Sequence, residues 1–330
     1  MDLNLFRELV YRCGVSGYSS EVSSLFIREA KKLNLIHGKD ILGSVSAVIP
    51  STDKTDSKKP RVMITAHLDH VGYIVADNKL KDNKIKLYPI GAPFLEKNHA
   101  GIIKTEKGKI DTTIIVKDIE TNDIYAEILD EEDLKDIQIG DVVYYAPNMD
   151  LTIKGKITAP FMDNKVSIFV LMQTMEKIMK KNKNKATLYF VLPSMEEVGG
   201  YGAAAVTDKI KPHISINVDT FPVDYKRDLN TGPIILRGPI YSSILGNNIE
   251  AQAKTYKIPH KRGVCSPEDE SDSNIIVGRN GGILCSEIGI PCMNVHFPNE
   301  TVSLKSIRGT IDLLTHVCQN IDLKELNNGM

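Results

Sequence analysis

The chain has 330 residues, 42% of them hydrophobic and 25% charged, with a formal net charge of −1. These are ordinary globular proportions, with length enough for one large domain or two. Near-neutrality removes the electrostatic case for nucleic acid or an anionic membrane as partner, and no apolar run approaches the ~18 residues of a spanning helix.

The N-terminus carries Asp2, Arg7 and Glu8, which interrupt it too early for the core of a secretory signal. Gly14 and Gly17 mark a turn, after which Ser19 or Ser20 can cap a helix with Val22, Leu25, Phe26 and Ala30 on one face. A β-rich stretch comes next, and residues 61–66 read as a buried strand that ends at His67.

Between about 73 and 150 the texture changes. Short strand candidates at 84–90, 101–104, 112–117, 124–129 and 142–146 alternate with turn signals, and no long amphipathic helix interrupts them. A small barrel or sandwich is expected there.

Beyond Asp163 the pattern is α/β. A helix from Val166 is apolar nearly all round and therefore buried. Strands are expected at 187–192, 214–218 and 291–295, with helices opening at 202 and 272 and a closing helix over 307–318. Lys180 to Lys185 reads as a solvated basic turn. Strands alternating with helices predict a sheet covered on both faces. The expected fold is thus a mixed-sheet α/β/α domain, residues 1–72 and 151–330, with an inserted small all-β domain, 73–150, serving substrate access or oligomerisation.

The five cysteines, Cys13, Cys265, Cys285, Cys292 and Cys318, are widely spaced and form no Cys-x-x-Cys pair. They suit reduced thiols in a cytoplasmic protein rather than a disulfide framework or a thiolate zinc site.

The chemistry lies at and beyond the ends of the buried strands. His67 and Asp69 come after one, Glu196-Glu197 after another, Asp219 ends a third and His296 a fourth, while Asp163 precedes the buried helix. Ligands of open α/β sheets bind beyond the carboxyl ends of the strands. Taken singly, each residue has an ordinary reading as a turn or satisfied polar group; their convergence carries the argument. Imidazoles and carboxylates together suit zinc, cobalt or manganese. Five ligands are too many for one catalytic ion with an open position, but suit two ions about 3.5–4 Å apart with one carboxylate bridging. Asp163, Glu197 and Asp219 supply three of the four negative charges that two divalent ions require, and a bound hydroxide would supply the fourth. Consecutive strand residues point to opposite faces, so Glu196 and Glu197 can share one site only if the chain bends. Pro193 and Gly199-Gly200 permit that. One carboxylate can then bind metal while its neighbour takes a proton, and Asp69 is placed to orient His67. His37, His99, His213, His260 and His316 lack the strand-end context and read as surface or core residues.

Gly14-Val15-Ser16-Gly17-Tyr18, Ala66-His67-Leu68-Asp69, Asp163-Asn164-Lys165, Glu196-Glu197-Val198-Gly199, Val218-Asp219 and Gly289-Ile290-Pro291 before His296 occur in this order. Together they resemble metallopeptidase family forty-two, the glutamyl and deblocking aminopeptidases of hollow tetrahedral particles, nearly from end to end. The resemblance implies His67 and Asp219 on one metal, Glu197 and His296 on the other, and Asp163 as the bridge. It also implies Glu196 as general base, Asp69 as partner of His67, and Asp272, in Glu270-Ser271-Asp272-Ser273, near the substrate pocket. The family removes residues one at a time from free peptide N-termini with zinc or cobalt, and the chain is expected to form a homo-oligomer, from dimer to dodecamer. Three positions depart from the family pattern: His70 stands where Glu is usual and could bear on substrate choice or metal preference, Lys165 stands for Arg, and Asn164 for a common Asp. The expected mechanism is attack by a metal-bridging hydroxide with Glu196 holding the proton. Rival readings are a related di-metal carboxypeptidase or N-acyl amino acid deacylase, and a non-catalytic peptide-binding shell. A glycosidase gives no use for the two histidines.

Overall fold

The computed structural model describes residues 1–53, 59–93, 98–118, 121, 123–224, 228–264 and 271–322. Cys265 and Glu270 therefore lie outside the described residues. Helices α1 (Leu3–Val10) and α2 (Ser20–Lys32) lead into strands β1 (Ile36–Lys39), β2 (Val45–Ile49) and β3 (Arg61–Thr65). Six strands come next: β4 (Gly72–Lys81), β5 (Lys84–Ile90), β6 (His99–Lys104), β7 (Lys109–Asp118), β8 (Asp123–Ile128) and β9 (Val142–Tyr145). The chain then runs through β10 (Lys156–Ala159), α3 (Met162–Lys181), β11 (Thr187–Leu192), α4 (Tyr201–Ile210), β12 (Ile214–Pro222) and β13 (Ile234–Arg237). It ends with α5 (Ser243–Thr255), β14 (Lys261–Val264), α6 (Asp272–Ile276), β15 (Leu284–Met293), β16 (Glu300–Ser303) and α7 (Leu304–Asn320).

The described strands form two separate sheets. The larger is mixed, in the order β1-β2-β11-β3-β12-β15-β13-β14, with β16 pairing β15 and β10 pairing β16. At its centre β11, β3, β12 and β15 are neighbours and all parallel. Burial on both faces explains their composition: β12 is buried at every residue except Pro222. One face packs Ile64, Phe190, Ile216 and Ile288 against α1, α2, α3, α5 and α7. The other packs Met63, Val191 and Cys285 against α4 and α6. The sheet is thus covered on both sides, as the alternation of elements predicts.

The second sheet is a closed antiparallel barrel in the order β4-β5-β8-β7-β6-β9. Its strands alternate, as in β8, where Ile124, Ala126 and Ile128 turn inward. All of its strands come from the chain between β3 and β10, both of which belong to the larger sheet.

Two strands that carry site residues differ from their expected bounds. The strand expected at 291–295 is the end of β15, which starts at Leu284 and stops at Met293. His296 therefore stands in the turn beyond it, with a left-handed φ of 69°. Asp219 lies inside β12 rather than at its end, because β12 pairs with β15 as far as Pro222.

Candidate metal centre

The carboxyl ends of the parallel strands open onto a cleft of about 620 Å³. His67, Asp163, Glu196, Glu197, Asp219 and His296 all line it. One donor atom each from His67, Asp163 and Asp219 lie within 4.8 Å of one another, and the same holds for His67, Glu196 and Glu197.

Asp163 faces both histidines. Its Oδ1 is 3.0 Å from His67 Nε2, and its Oδ2 is 3.7 Å from His296 Nε2. Thr220 Oγ1 donates to that Oδ2 at 3.0 Å. Asp163 and Asn164 have non-helical φ/ψ at the head of α3, and the Asn164 amide donates to the Val218 carbonyl.

Each histidine is held by its other nitrogen. His67 Nδ1 lies 3.1 Å from the Asp69 carbonyl oxygen, and His296 Nδ1 lies 3.0 Å from that of Ala92. An Nδ1–H donated to a carbonyl leaves Nε2 aimed at the carboxylates, the arrangement that metal-binding imidazoles use. His67 Nε2 is also 3.6 Å from Asp219 Oδ1 and 4.0 Å from Glu196 Oε2, and His296 Nε2 is 3.5 Å from Glu197 Oε2.

The chain does bend after β11. Met195 takes a left-handed φ of 60°, and Gly200 N–H closes the turn on the Met195 carbonyl. The Asp69 carboxylate accepts the main-chain N–H groups of Glu196 at 3.1 Å and Glu197 at 3.4 Å. It stands 3.9 Å from the His67 ring, so it grips the glutamate turn more closely than the imidazole.

Asp272 and His70, expected near substrate, are both fully buried, and neither is among the described residues lining the cleft. His70 is a wedge: it stacks on Phe161 at 3.7 Å, accepts Gly14 N–H on Nε2 and bonds the Val71 carbonyl through Nδ1. Lys165 is likewise structural, its ammonium donating to the carbonyls of Val10 and Arg12.

The electrostatics call for positive charge. Burial, then repulsion from neighbouring carboxylates, pushes Glu197 well above the usual range; Glu196 is raised the same way although His67 pulls it down. Burial lifts Asp219 to about 6 against the pull of His67. Burial likewise lifts Asp272 to about 8. Burial disfavours a charged His67, yet Glu196, Asp219 and Asp163 overcome it and raise its pKa well above normal. Asp163 is instead held low, burial being outweighed by its bond from His67 and the two imidazoles. Glu197 Oε1 is buried without a hydrogen-bond partner among the described residues. Such an orphan acceptor, beside a mixed imidazole–carboxylate donor set, fits a site for divalent cations.

Three supporting residues went unnoticed in the sequence. Glu300 binds the main chain of Asp163 and His296. Asn217 reaches Asp219 Oδ2, and Glu287 accepts from Asn217, Tyr241, Ser271 and Ser273. The only available signal for Asn217 and Glu287 is a polar residue inside a strand that is buried along nearly its whole length.

The M42 glutamyl aminopeptidase family model matches residues 43–313. The chain belongs to that family, whose members are metallopeptidases. It is 24% identical over 345 aligned residues to a lysyl aminopeptidase of Pyrococcus furiosus, covering 95% of each chain. A TET aminopeptidase from a marine-sediment Thaumarchaeota archaeon superposes with a TM-score of 0.91 at 21% identity, over 99% of this chain and 98% of that one. The Pyrococcus horikoshii TET1 peptidase, described as assembling into a tetrahedron or a large octahedral shell, superposes with a TM-score of 0.84 at 18% identity, over 97% and 99%. Likeness at that identity shows the fold.

Proposed function

We propose that the protein is a dinuclear metal-dependent aminopeptidase that releases residues from the free N-termini of peptides. The observation that carries this reading is one carboxylate, Asp163, facing the Nε2 atoms of two histidines across the floor of a cleft. His67 and Asp219 would hold one divalent cation, Glu197 and His296 the other, with Asp163 between them. When bound, zinc or cobalt, or manganese in their place, would polarise the scissile carbonyl and bring water's pKa down toward neutrality.

The chain's own residues do the rest. Glu196 Oε2 stands on the cleft wall within 4.0 Å of His67 Nε2. It takes the proton of the attacking water and returns it to the leaving amine. Asp69 fixes Glu196 and Glu197 through their amides, and the carbonyls of Asp69 and Ala92 fix the two rings. Ala92 lies just past β5, so the barrel supplies part of the cleft rim; this supports assigning residues 73–150 a role in substrate access.

Among the described residues no helix is long and apolar enough to cross a membrane. The four described cysteines are free and buried, which supports a cytoplasmic location. A homo-oligomer is supported by the assemblies described for the P. horikoshii peptidase. Light scattering should give a multiple of the chain mass, and a monomer at working concentration would remove that part.

The activity test uses metal-stripped protein and short peptides, free or N-acetylated, before and after zinc, cobalt or manganese. The expected result is metal-dependent loss of one residue at a time from free N-termini only. Cleavage of acetylated peptides alone, or from the C-terminus alone, would instead identify a deacylase or carboxypeptidase. No turnover with metal bound would identify a binding shell.

A further inference from the structure

Glu300 opens β16 and stands opposite Ala159 in the β10–β16 ladder. That register places it between two segments that leave the sheet separately. One is the head of α3, just past β10, which carries Asp163; the other is the turn from β15 into β16, which carries His296. The residue is 1% exposed. Its Oε2 accepts the Asp163 N–H at 2.7 Å and its Oε1 accepts the His296 N–H at 2.9 Å.

We propose that Glu300 is a positioning residue that sets the spacing and aim of Asp163 and His296, so that the cation site is formed before any cation arrives. This rests on the metallopeptidase reading above. Asp163 and His296 are 133 positions apart in the chain and belong to different elements. A single carboxylate joins their main chains directly, one oxygen to each. Both bonds are to a buried acceptor, which cannot exchange them for water, so losing either would leave a main-chain N–H unpaired. The His296 amide needs such a partner because β15 stops at Met293 and its ladder does not reach the turn that holds His296. Glutamine in place of Glu300 would keep the volume but accept at one end only. Its NH₂ would meet an N–H donor at the other, and one ligand carrier would be released.

The experiment is a Co²⁺ titration of the metal-stripped full chain, wild type and Glu300→Gln, followed by visible d–d absorption and by competition with a chromophoric chelator. The expected result is a changed band pattern and a loss of about 10–100-fold in Co²⁺ affinity for the variant, with an unchanged far-ultraviolet circular dichroism spectrum. A glutamate that merely supports the fold would leave the cobalt spectrum as it is. Wild-type spectrum and affinity in Glu300→Gln would overturn the proposal while the site itself stands. A wild-type chain that develops no cobalt spectrum would overturn both together. Glu300→Asp, which keeps both acceptors but falls one methylene short, is judged by the same criterion. Should neither variant fold, amide exchange in the metal-free wild type decides: slow exchange at both Asp163 and His296 supports the clamp, and solvent-like exchange at either overturns it.

Discussion

At the scale of single residues, the sharpest expectation concerns Glu196. Glu196→Gln keeps the shape of the side chain but cannot accept a proton, and Glu196 is not among the proposed ligands. Its kcat should fall by about 10²–10⁴-fold, with the metal content unchanged. Turnover near wild type, measured on fully loaded protein, would remove Glu196 as the base. The residues that face the cleft were legible because several buried strands deliver His, Asp and Glu to one edge of the sheet, although each residue alone reads as a turn or a satisfied polar group. Their supports were not. Glu300 sits in Pro298-Asn299-Glu300-Thr301, which reads as a solvated turn until β10 and β16 are known to pair around it. Asp69 was legible as a partner of the site but not in its contacts. A spacing of two residues from His67 does not say whether the carbonyl or the carboxylate meets the ring, and here the carbonyl does.

At the scale of elements, the long apolar strands and the buried helix α3 were readable from pattern alone, since burial on both faces leaves an almost unbroken apolar run. The short elements were not. β14 is Lys261-Arg262-Gly263-Val264 at the sheet edge, charged and largely exposed, and only its pairing with β13 makes it a strand. α5 dilutes its apolar positions with Gly246, Asn247 and Asn248. The turn that presents Glu196 and Glu197 depends on a further close contact, at the start of α4. A Cβ on Gly202 would stand 2.2 Å from the Ser194 carbonyl oxygen and 2.4 Å from the Ser194 nitrogen. Ser194 cannot yield easily, because Ser44 and Leu42 hold it from β2's side of the sheet. Gly202→Ala should therefore push α4 away and cost about 1–3 kcal/mol by overpacking, together with weaker metal binding as the glutamate turn shifts. Urea unfolding checks the first part; an unchanged midpoint would show that α4 has room to move.

At the scale of the whole molecule, the site depends on how the barrel sits against the α/β sheet, because Ala92 orients His296 and Tyr145 Oη donates to the His296 carbonyl. Glu21 of α2 is central to that seat. It binds Lys104 of β6 at 2.9 Å, lies 3.4 Å from Lys109 of β7, and accepts the Cys13 N–H at 3.1 Å. Burial works against its charge, yet the bonds from Lys104 and Cys13 and the field of Lys109 hold its pKa below the usual value. A folded-state pKa below the unfolded one means that the unfolded chain binds more protons as the solution is acidified. The stabilisation is then complete above the ordinary glutamate pKa of about 4.3 and disappears as pH falls through the depressed folded value. Glu21→Gln should cost about 1–2 kcal/mol near neutrality, a figure kept low because the lysines are partly exposed. Denaturant unfolding of the two proteins should show that difference at pH 7 and its shrinkage as the pH drops below the glutamate range. A difference that stayed constant with pH would mean that the carboxylate's charge does not hold the barrel.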